Sequence, residues 1–69
     1  MYKHIFGNRL KSLRTAHNIP QWKLAQILEI DRTTVTNYET GKRMPDVVLL
    51  CKIADYFNVS VDYLLGRNS

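Results

Sequence analysis

The 69-residue sequence has a single cysteine, Cys51, so it cannot form a disulfide within the chain, and a reducing compartment is expected. Long apolar segments are also missing. The longest run, VVLLC at 47–51, is far too short to cross a bilayer, and the N-terminal residues have no apolar core typical of a signal peptide. We therefore predict a cytoplasmic protein.

Residues for catalysis or metal binding are equally scarce. The three glycines form no phosphate-binding loop. His4, His17 and Cys51 do not have the spacing of a zinc site, and the six acidic residues form no close pair suited to acid–base chemistry. The sequence therefore predicts no enzyme activity, no metal and no cofactor.

Negative charge is sparse in the first two-thirds of the chain. Residues 1–45 carry eight lysines and arginines against three acidic residues, whereas residues 46–69 carry two against three. A basic region of this size suggests a polyanion partner such as nucleic acid or anionic lipid. Many small proteins are mildly basic without such a partner, so charge alone leaves the question open.

Apolar residues are present in quantity, and their spacing is helical throughout. Phe6, Leu10, Leu13 and His17 recur at intervals of three and four, which predicts a first helix. The same reasoning predicts five helices in one domain spanning 1–69: 4–17, from Pro20 to about Glu29, 32–39, 47–57 and 61–65. No stretch indicates a strand pair, so the fold class is a compact all-α domain.

Residues suited to helix ends separate these segments. The predicted N-caps are Asp31, Asp46 and Ser60. The predicted left-handed or glycine exits are Asn18, Gly41, Asn58 and Gly66. On the fourth helix, the pattern predicts that Val47, Leu50, Ile53, Ala54 and Phe57 face the core, with Cys51 buried beside them.

The third helix has an unusual composition. Of the eight residues from 32 to 39, three are threonine and one is asparagine, and strong helix formers are nearly absent. If Val35 points inward, the rotation of about 100° per residue in a helix turns Tyr38 and Glu39 toward the body of the domain as well. The predicted outward face consists of Thr33, Thr36, Asn37 and Thr40, with Arg32 at its N-terminal corner.

That outward face has the chemistry of base recognition. Asparagine can make a bidentate contact to adenine, arginine to guanine, and the threonine methyl group can meet the thymine methyl group. Lys42 and Arg43 follow in the next loop, where DNA phosphates would pass. The simpler interpretation is that these polar residues are only solvated surface, and the helix by itself does not decide between the two.

A wider pattern supports the first interpretation. Residues 21–40, QWKLAQILEIDRTTVTNYET, resemble the helix-turn-helix of phage repressors and Cro proteins, in the large bacterial family named after the xenobiotic-response-element regulator. The resemblance continues through FGNRLKSLR, GKRMP and LLCKIADYFNVSVDYLLG, so it covers roughly residues 5–66. It implies a lambda-repressor-like five-helix fold.

The resemblance also implies roles for individual residues. Base contacts are implied for Arg32, Thr33, Thr36 and Asn37. Phosphate contacts are implied for Gln21, Thr40, Lys42 and Arg43. A structural ion pair is implied between Arg14 and Glu39. Both residues face the body, where an unpaired charge would be costly, which favours the pair over the alternative that Arg14 binds phosphate at the surface. Dimer contacts are implied in the C-terminal region, with Tyr56, Val61, Tyr63 and Leu65 as candidates.

The sequence departs from the family pattern at three positions. Glu29 stands in the turn where glycine is usual, which predicts a strained positive φ and a gain in thermal stability for Glu29→Gly. Pro20 replaces the usual Ser or Thr cap of the second helix. Trp22 takes a position that is usually polar, where it flanks DNA, contacts a partner chain or simply lies along the surface.

These observations predict a sequence-specific DNA-binding transcriptional regulator, most simply a repressor that binds a two-fold-related operator as a homodimer. Two other hypotheses stay open. The same fold could serve an antitoxin or adaptor that mainly grips a protein partner, and such a protein should tolerate loss of Thr33 and Asn37. Membrane-surface binding would need an apolar face beside the basic one, and no such face is evident. Control through abundance or through a protein regulator is expected.

Overall fold

The structure, a computed structural model, describes residues 2–67. It contains five α-helices in that range and no strand, which confirms the predicted fold class. The helices are α1 (Tyr2–Ala16), α2 (Gln21–Leu28), α3 (Arg32–Glu39), α4 (Val47–Phe57) and α5 (Val61–Leu65). The first helix begins two residues earlier and ends one residue earlier than predicted. The second spans Gln21–Leu28, within the predicted segment from Pro20 to about Glu29, and the other three have their predicted bounds.

The core is formed by one or more large apolar side chains from every helix. Phe6 and Leu10 of α1 are fully buried, together with Leu24, Val35, Ile53 and Leu64 from the other four helices. The rings of Phe6 and Tyr38 meet edge to face with centroids 6.0 Å apart, which anchors α3 to α1. Because α3 packs against both α1 and α2, its position is fixed from two sides.

The crossing of α1 over α3 depends on a glycine that sequence reasoning did not single out. A Cβ at Gly7 would lie 2.5 Å from the carbonyl oxygen of Tyr38 and 2.9 Å from that of Glu39. These are backbone atoms at the end of α3, so no side-chain rotation could relieve the clash. Gly7 therefore sets how closely the two helices approach.

The chain leaves its helices in the conformations that the sequence predicted. Asn18 and Asn58 have φ values of 58° and 56°, and Gly41 and Gly66 have 80° and 71°, which confirms all four predicted exits. Glu29 has φ of 60° and forms the C-cap of α2. The turn of the helix-turn-helix therefore places a side chain where glycine would be unstrained.

The N-caps agree with prediction in part. The Asp46 carboxylate accepts from the Leu49 amide at 2.8 Å, and the Ser60 hydroxyl accepts from the Tyr63 amide at 2.9 Å. Asp31 occupies the N-cap position of α3, but its side chain makes no capping hydrogen bond. Pro20 likewise precedes α2 without a side-chain cap.

Two predictions about α4 are wrong. Val47 is 73% exposed, and Cys51 is also exposed. The buried stripe consists of Leu50, Ile53, Ala54 and Phe57. Cys51 lies about 100° around the helix from Leu50, on the flank of that stripe. Val47 is closer to the stripe in angle, but it lies in the first turn, where no neighbouring helix covers it.

Within residues 2–67, none of the helices has the length and apolar content needed to cross a membrane.

Candidate nucleic-acid interface

The outward side of α3 lies opposite a fully buried anchor. Val35 has no exposed surface, whereas Thr33 is exposed and Asn37 is half-buried. Among the described residues, the side-chain amide of Asn37 makes no hydrogen bond to the protein. Its donor and acceptor groups are therefore available to a ligand, as a bidentate contact to a base edge requires.

Gln21, the first residue of α2, reaches across to this face. Its Oε1 accepts from the Thr36 hydroxyl at 3.2 Å and lies 3.5 Å from Nε of Arg32. Its Nε2 donates to Oε1 of Glu39 at 3.0 Å. The structure therefore brings Gln21, Arg32 and Thr36 together, although sequence reasoning had assigned them separate DNA contacts.

The ion pair expected between Arg14 and Glu39 is present, and it is nearly buried. Nε of Arg14 donates to Oε2 of Glu39 at 2.6 Å, and Nη2 donates to Oε1 at 3.0 Å. Nη1 donates to the carbonyl oxygen of Ile19 at 2.9 Å. The two side chains are 11% and 3% exposed. The bidentate pair links α1 to α3 and, through Gln21, to the start of α2.

The hydroxyl groups of Thr36 and Thr40 are already engaged as donors. Thr36 Oγ1 lies 3.2 Å from both Gln21 Oε1 and the carbonyl oxygen of Arg32. Thr40 Oγ1 donates to the carbonyl oxygen of Thr36 at 2.9 Å. A phosphate oxygen accepts hydrogen bonds. Thr40 would therefore have to break its hydrogen bond to the carbonyl oxygen of Thr36 before its hydroxyl could donate to a phosphate.

The loop after α3 is tied to the same helix end. The backbone amides of Lys42 and Arg43 both donate to the carbonyl oxygen of Asn37, at 2.9 and 3.2 Å, while both side chains are exposed. The two basic side chains therefore extend from a loop whose start is fixed on α3.

The phenol of Tyr38 lies near this loop. Burial raises the pKa of the Tyr38 phenol, the charge of Arg43 opposes that rise, and Asp46 adds to it.

The remaining sequence-predicted residues lie elsewhere on the domain. Tyr56 is exposed on α4, whereas Val61, Tyr63 and Leu65 are half-buried and pack partly against the core. The guanidinium of Arg9 lies 4.4 Å from the centroid of the Tyr63 ring. Tyr63 is thus already packed within the domain on one side.

A helix-turn-helix family model matches residues 10–64, which is most of the chain and includes the α2–α3 unit described above. The chain belongs to the Cro/C1-type helix-turn-helix family. Members of this family are DNA-binding transcriptional regulators. The residues of the α3 face therefore lie in the element from which the family takes its name.

Two relatives illustrate the range of the family. The transcriptional regulator ImmR of Bacillus subtilis is 40% identical over 62 residues, covering 90% of this chain and 49% of ImmR. The antitoxin PezA of Streptococcus pneumoniae is 33% identical over 64 residues, covering 93% of this chain and 40% of PezA. The chain thus spans half or less of either relative.

One similar protein of known crystal structure matches this chain over most of the length of both proteins. The restriction-modification controller protein C.AhdI from Aeromonas hydrophila superposes with a TM-score of 0.77 at 34% identity, covering 88% of this chain and 92% of that one. The whole fold, and not only the α2–α3 unit, is therefore shared with a solved helix-turn-helix protein.

The interface contains one feature that sequence reasoning missed. Gln21 was assigned to phosphate and Glu39 to Arg14, yet the two side chains are bonded to each other. They are 18 positions apart, and helical periodicity gives no distance between different helices. The sequence held only a weak indication of this contact: Gln21 is the first residue of α2, and Glu39 was predicted to face the body of the domain.

Proposed function

We propose that this protein represses transcription by inserting α3 into the major groove of an operator. The observation that carries the proposal is the exposed or partly exposed polar face opposite Val35, on a helix held in place by α1 and α2. Hydrogen-bonding groups on a rigid helix are what base recognition requires, because each bidentate contact needs a fixed approach.

The proposed contacts fall into two groups. Base edges are read by Arg32, Thr33, Thr36 and Asn37. Phosphates are bound by Gln21, Thr40, Lys42 and Arg43. The amides of Gln21 and Trp22 precede the first helical hydrogen bonds of α2, since Lys23 and Leu24 donate to the carbonyl oxygen of Pro20. These two amides support phosphate binding at the same place.

A single copy of α3 offers a small interface, so we propose that two copies bind a two-fold-related site. The half-sites would be about one helical turn, roughly 34 Å, apart. The proposed dimer contacts are Tyr56, Val61, Tyr63 and Leu65. Of these, Tyr56 is the most exposed, at 47%, and is therefore the first to test.

The similarity to PezA favours a second function, that of an antitoxin whose main partner is a protein. The fold is compatible with either role, because a protein partner could bind surface outside the α3 face. An antitoxin of this kind should keep its protein partner when Asn37 and Thr33 are changed. A repressor should lose operator preference under the same changes.

The test begins with selection of bound duplexes from a random pool, followed by binding measurements on the selected site and on an unrelated duplex. Asn37→Ala should weaken binding to the selected site by about 1–3 kcal/mol and leave the unrelated duplex unchanged. Lys42→Ala should weaken both duplexes alike and reduce the salt dependence of log K by about 1.

Two results would contradict the proposal. Recovery of no common motif would remove sequence-specific binding. Equal losses from Asn37→Ala on both duplexes would remove base recognition by α3, even if DNA is bound. A motif without two-fold symmetry would retain DNA recognition and reject the paired-site arrangement.

A further inference from the structure

Trp22 is a large apolar side chain that the fold leaves uncovered. It is the only tryptophan of the sequence, and it is 58% exposed as the second residue of α2. The buried residues of α2 are Leu24, Ala25 and Leu28, so position 22 is not part of the buried face of this helix. Core packing therefore does not account for the tryptophan.

Trp22 lies in the first turn of α2, next to the residue that reaches the outward side of α3. The side chain of the preceding residue, Gln21, contacts Thr36 and approaches Arg32 on the outward side of α3. In an α-helix the Cα–Cβ bond tilts toward the N-terminus, so a side chain in the first turn of α2 leans past the end of that helix. Trp22 therefore extends from the end of α2 that lies beside α3.

The charge around this end of α2 also points to a polyanion. Lys23 follows Trp22 and is exposed, Arg32 lies close to Gln21, and α2 itself contains no acidic residue. An indole ring combines an apolar face with one N–H donor at its edge. A sugar-phosphate backbone offers the matching groups, which are the apolar deoxyribose and the phosphate oxygen.

We propose that Trp22 binds the DNA backbone beside the half-site, with its ring against a deoxyribose and its Nε1–H donating to a phosphate oxygen. This assignment rests on the proposed DNA-binding function and adds a residue to it. Backbone contacts position a protein on the duplex without reading sequence. Trp22 therefore contributes affinity and helps to fix the position of the protein on the duplex, while the α3 face supplies the preference for one base sequence over another.

The affinity test compares Trp22→Ala and Trp22→Phe with Tyr2→Ala, which changes an exposed aromatic residue on α1. Trp22→Ala should weaken binding about tenfold, to the selected site and to an unrelated duplex alike, as expected for one charge-assisted hydrogen bond and its apolar contact. Trp22→Phe, which keeps a ring but lacks the N–H donor, should show a smaller loss. Tyr2→Ala should bind both duplexes as the wild type does.

The salt dependence separates this contact from its charged neighbour. Trp22→Ala removes no charge, so its log K should fall with log salt at the wild-type slope, whereas Lys23→Ala should reduce that slope by about 1 if it also reaches phosphate. Because Trp22 is the only tryptophan, a change in its emission when duplex is added reports on this side chain alone.

The outcomes distinguish failure of this inference from failure of the proposed function. If Asn37→Ala relaxes preference while Trp22→Ala binds within twofold of wild type, the Trp22 contact is wrong and the function stands. If the wild type binds no duplex in preference to another, the proposed function fails first. If Trp22→Ala disrupts self-association in sedimentation and leaves half-site affinity unchanged, the tryptophan contacts protein, and the inference is overturned.

Discussion

The side-chain amide of Gln21 donates to the Glu39 carboxylate across 3.0 Å, and this bond fixes which way the amide faces. Because Nε2 is turned toward Glu39, Oε1 is turned toward Thr36 and Arg32. The buried ion pair of Glu39 is therefore connected to the proposed base-reading face through one side chain. We therefore predict that Gln21 orients that face and does not only lie beside it.

Replacing Gln21 with alanine tests this relationship. Glu39 would keep both hydrogen bonds from Arg14, so the free energy of unfolding should fall by only about 1 kcal/mol. The proposed DNA recognition should suffer more, because Thr36 and Arg32 lose a common partner. We expect about tenfold weaker binding to the selected duplex, and reduced discrimination at the base pairs that these two residues read.

The matched control is Gln26→Ala, which removes the same side chain from an exposed position of the same helix. It should alter neither unfolding nor binding. If Gln21→Ala weakened all duplexes equally and kept full discrimination, Gln21 would be a phosphate contact alone, and its role in orienting α3 would be refuted.

Removing Arg14 should be far more costly than removing Gln21. Arg14→Met would leave the Glu39 carboxylate, which is 3% exposed, without its charge partner. Breaking a buried pair in this way costs about 3–5 kcal/mol, a large share of the stability of a small domain. Urea denaturation should show the loss, whereas Lys11→Met, on an exposed position of α1, should stay within about 0.5 kcal/mol of wild type.

Local features of the fold could be predicted because they depend on residues close together in the sequence. The five helices follow from apolar spacing, and the exits at Asn18, Gly41 and Asn58 follow from residues that tolerate positive φ. The outward face of α3 follows in the same way, since one buried residue, Val35, sets the angles of its neighbours.

Most features that depend on contact between helices could not be predicted; the Arg14–Glu39 pair is an exception, because the family resemblance implied it. Periodicity gives the angle of Val47 and Cys51 around α4, but it does not give the extent of surface that neighbouring helices cover. The close approach at Gly7 depends on where α3 crosses α1, more than 30 positions further along the chain. The bond between Gln21 and Glu39 has the same origin, and the roles of individual residues in DNA binding stay predictions.

Gly7→Ala should destabilise the protein, although alanine is the better helix former. In an isolated helix this change would gain about 1 kcal/mol. Here the new Cβ would lie 2.5 Å from the Tyr38 carbonyl oxygen, so α1 and α3 must separate. We expect a net loss of about 1–3 kcal/mol in urea denaturation, as in other overpacked cores. Unchanged or increased stability would show that the two helices can separate without cost.

Glu29→Gly should act in the opposite direction. Glu29 has φ of 60°, a conformation that costs a residue with a Cβ about 1 kcal/mol or more. Glycine removes that cost, although it also gives the unfolded chain more freedom. We expect a higher melting temperature. Glu29→Ala, which removes the carboxylate but keeps the Cβ, should give no such gain, and a lower melting temperature for Glu29→Gly would contradict the strained turn.

The stability of the domain should fall in alkaline solution partly through Tyr38. Burial raises the pKa of this phenol above its ordinary value of 10.0, with Arg43 opposing the shift and Asp46 adding to it. Between the unfolded and the folded pKa, the unfolded chain releases a proton that the folded chain retains. The free energy of unfolding is therefore unaffected by this group below about pH 9 and decreases as the pH rises through 10.0 and above.

Tyr38→Phe isolates that contribution. The variant keeps the ring that meets Phe6 at 6.0 Å, so its stability at neutral pH should change by less than about 1 kcal/mol. Urea denaturation between about pH 9 and pH 11 should show a shallower decline than in wild type. Tyr56→Phe, which changes an exposed tyrosine, should decline as steeply as wild type. Equal slopes for wild type and Tyr38→Phe would mean that the phenolate at position 38 forms as easily in the folded protein as in the unfolded chain.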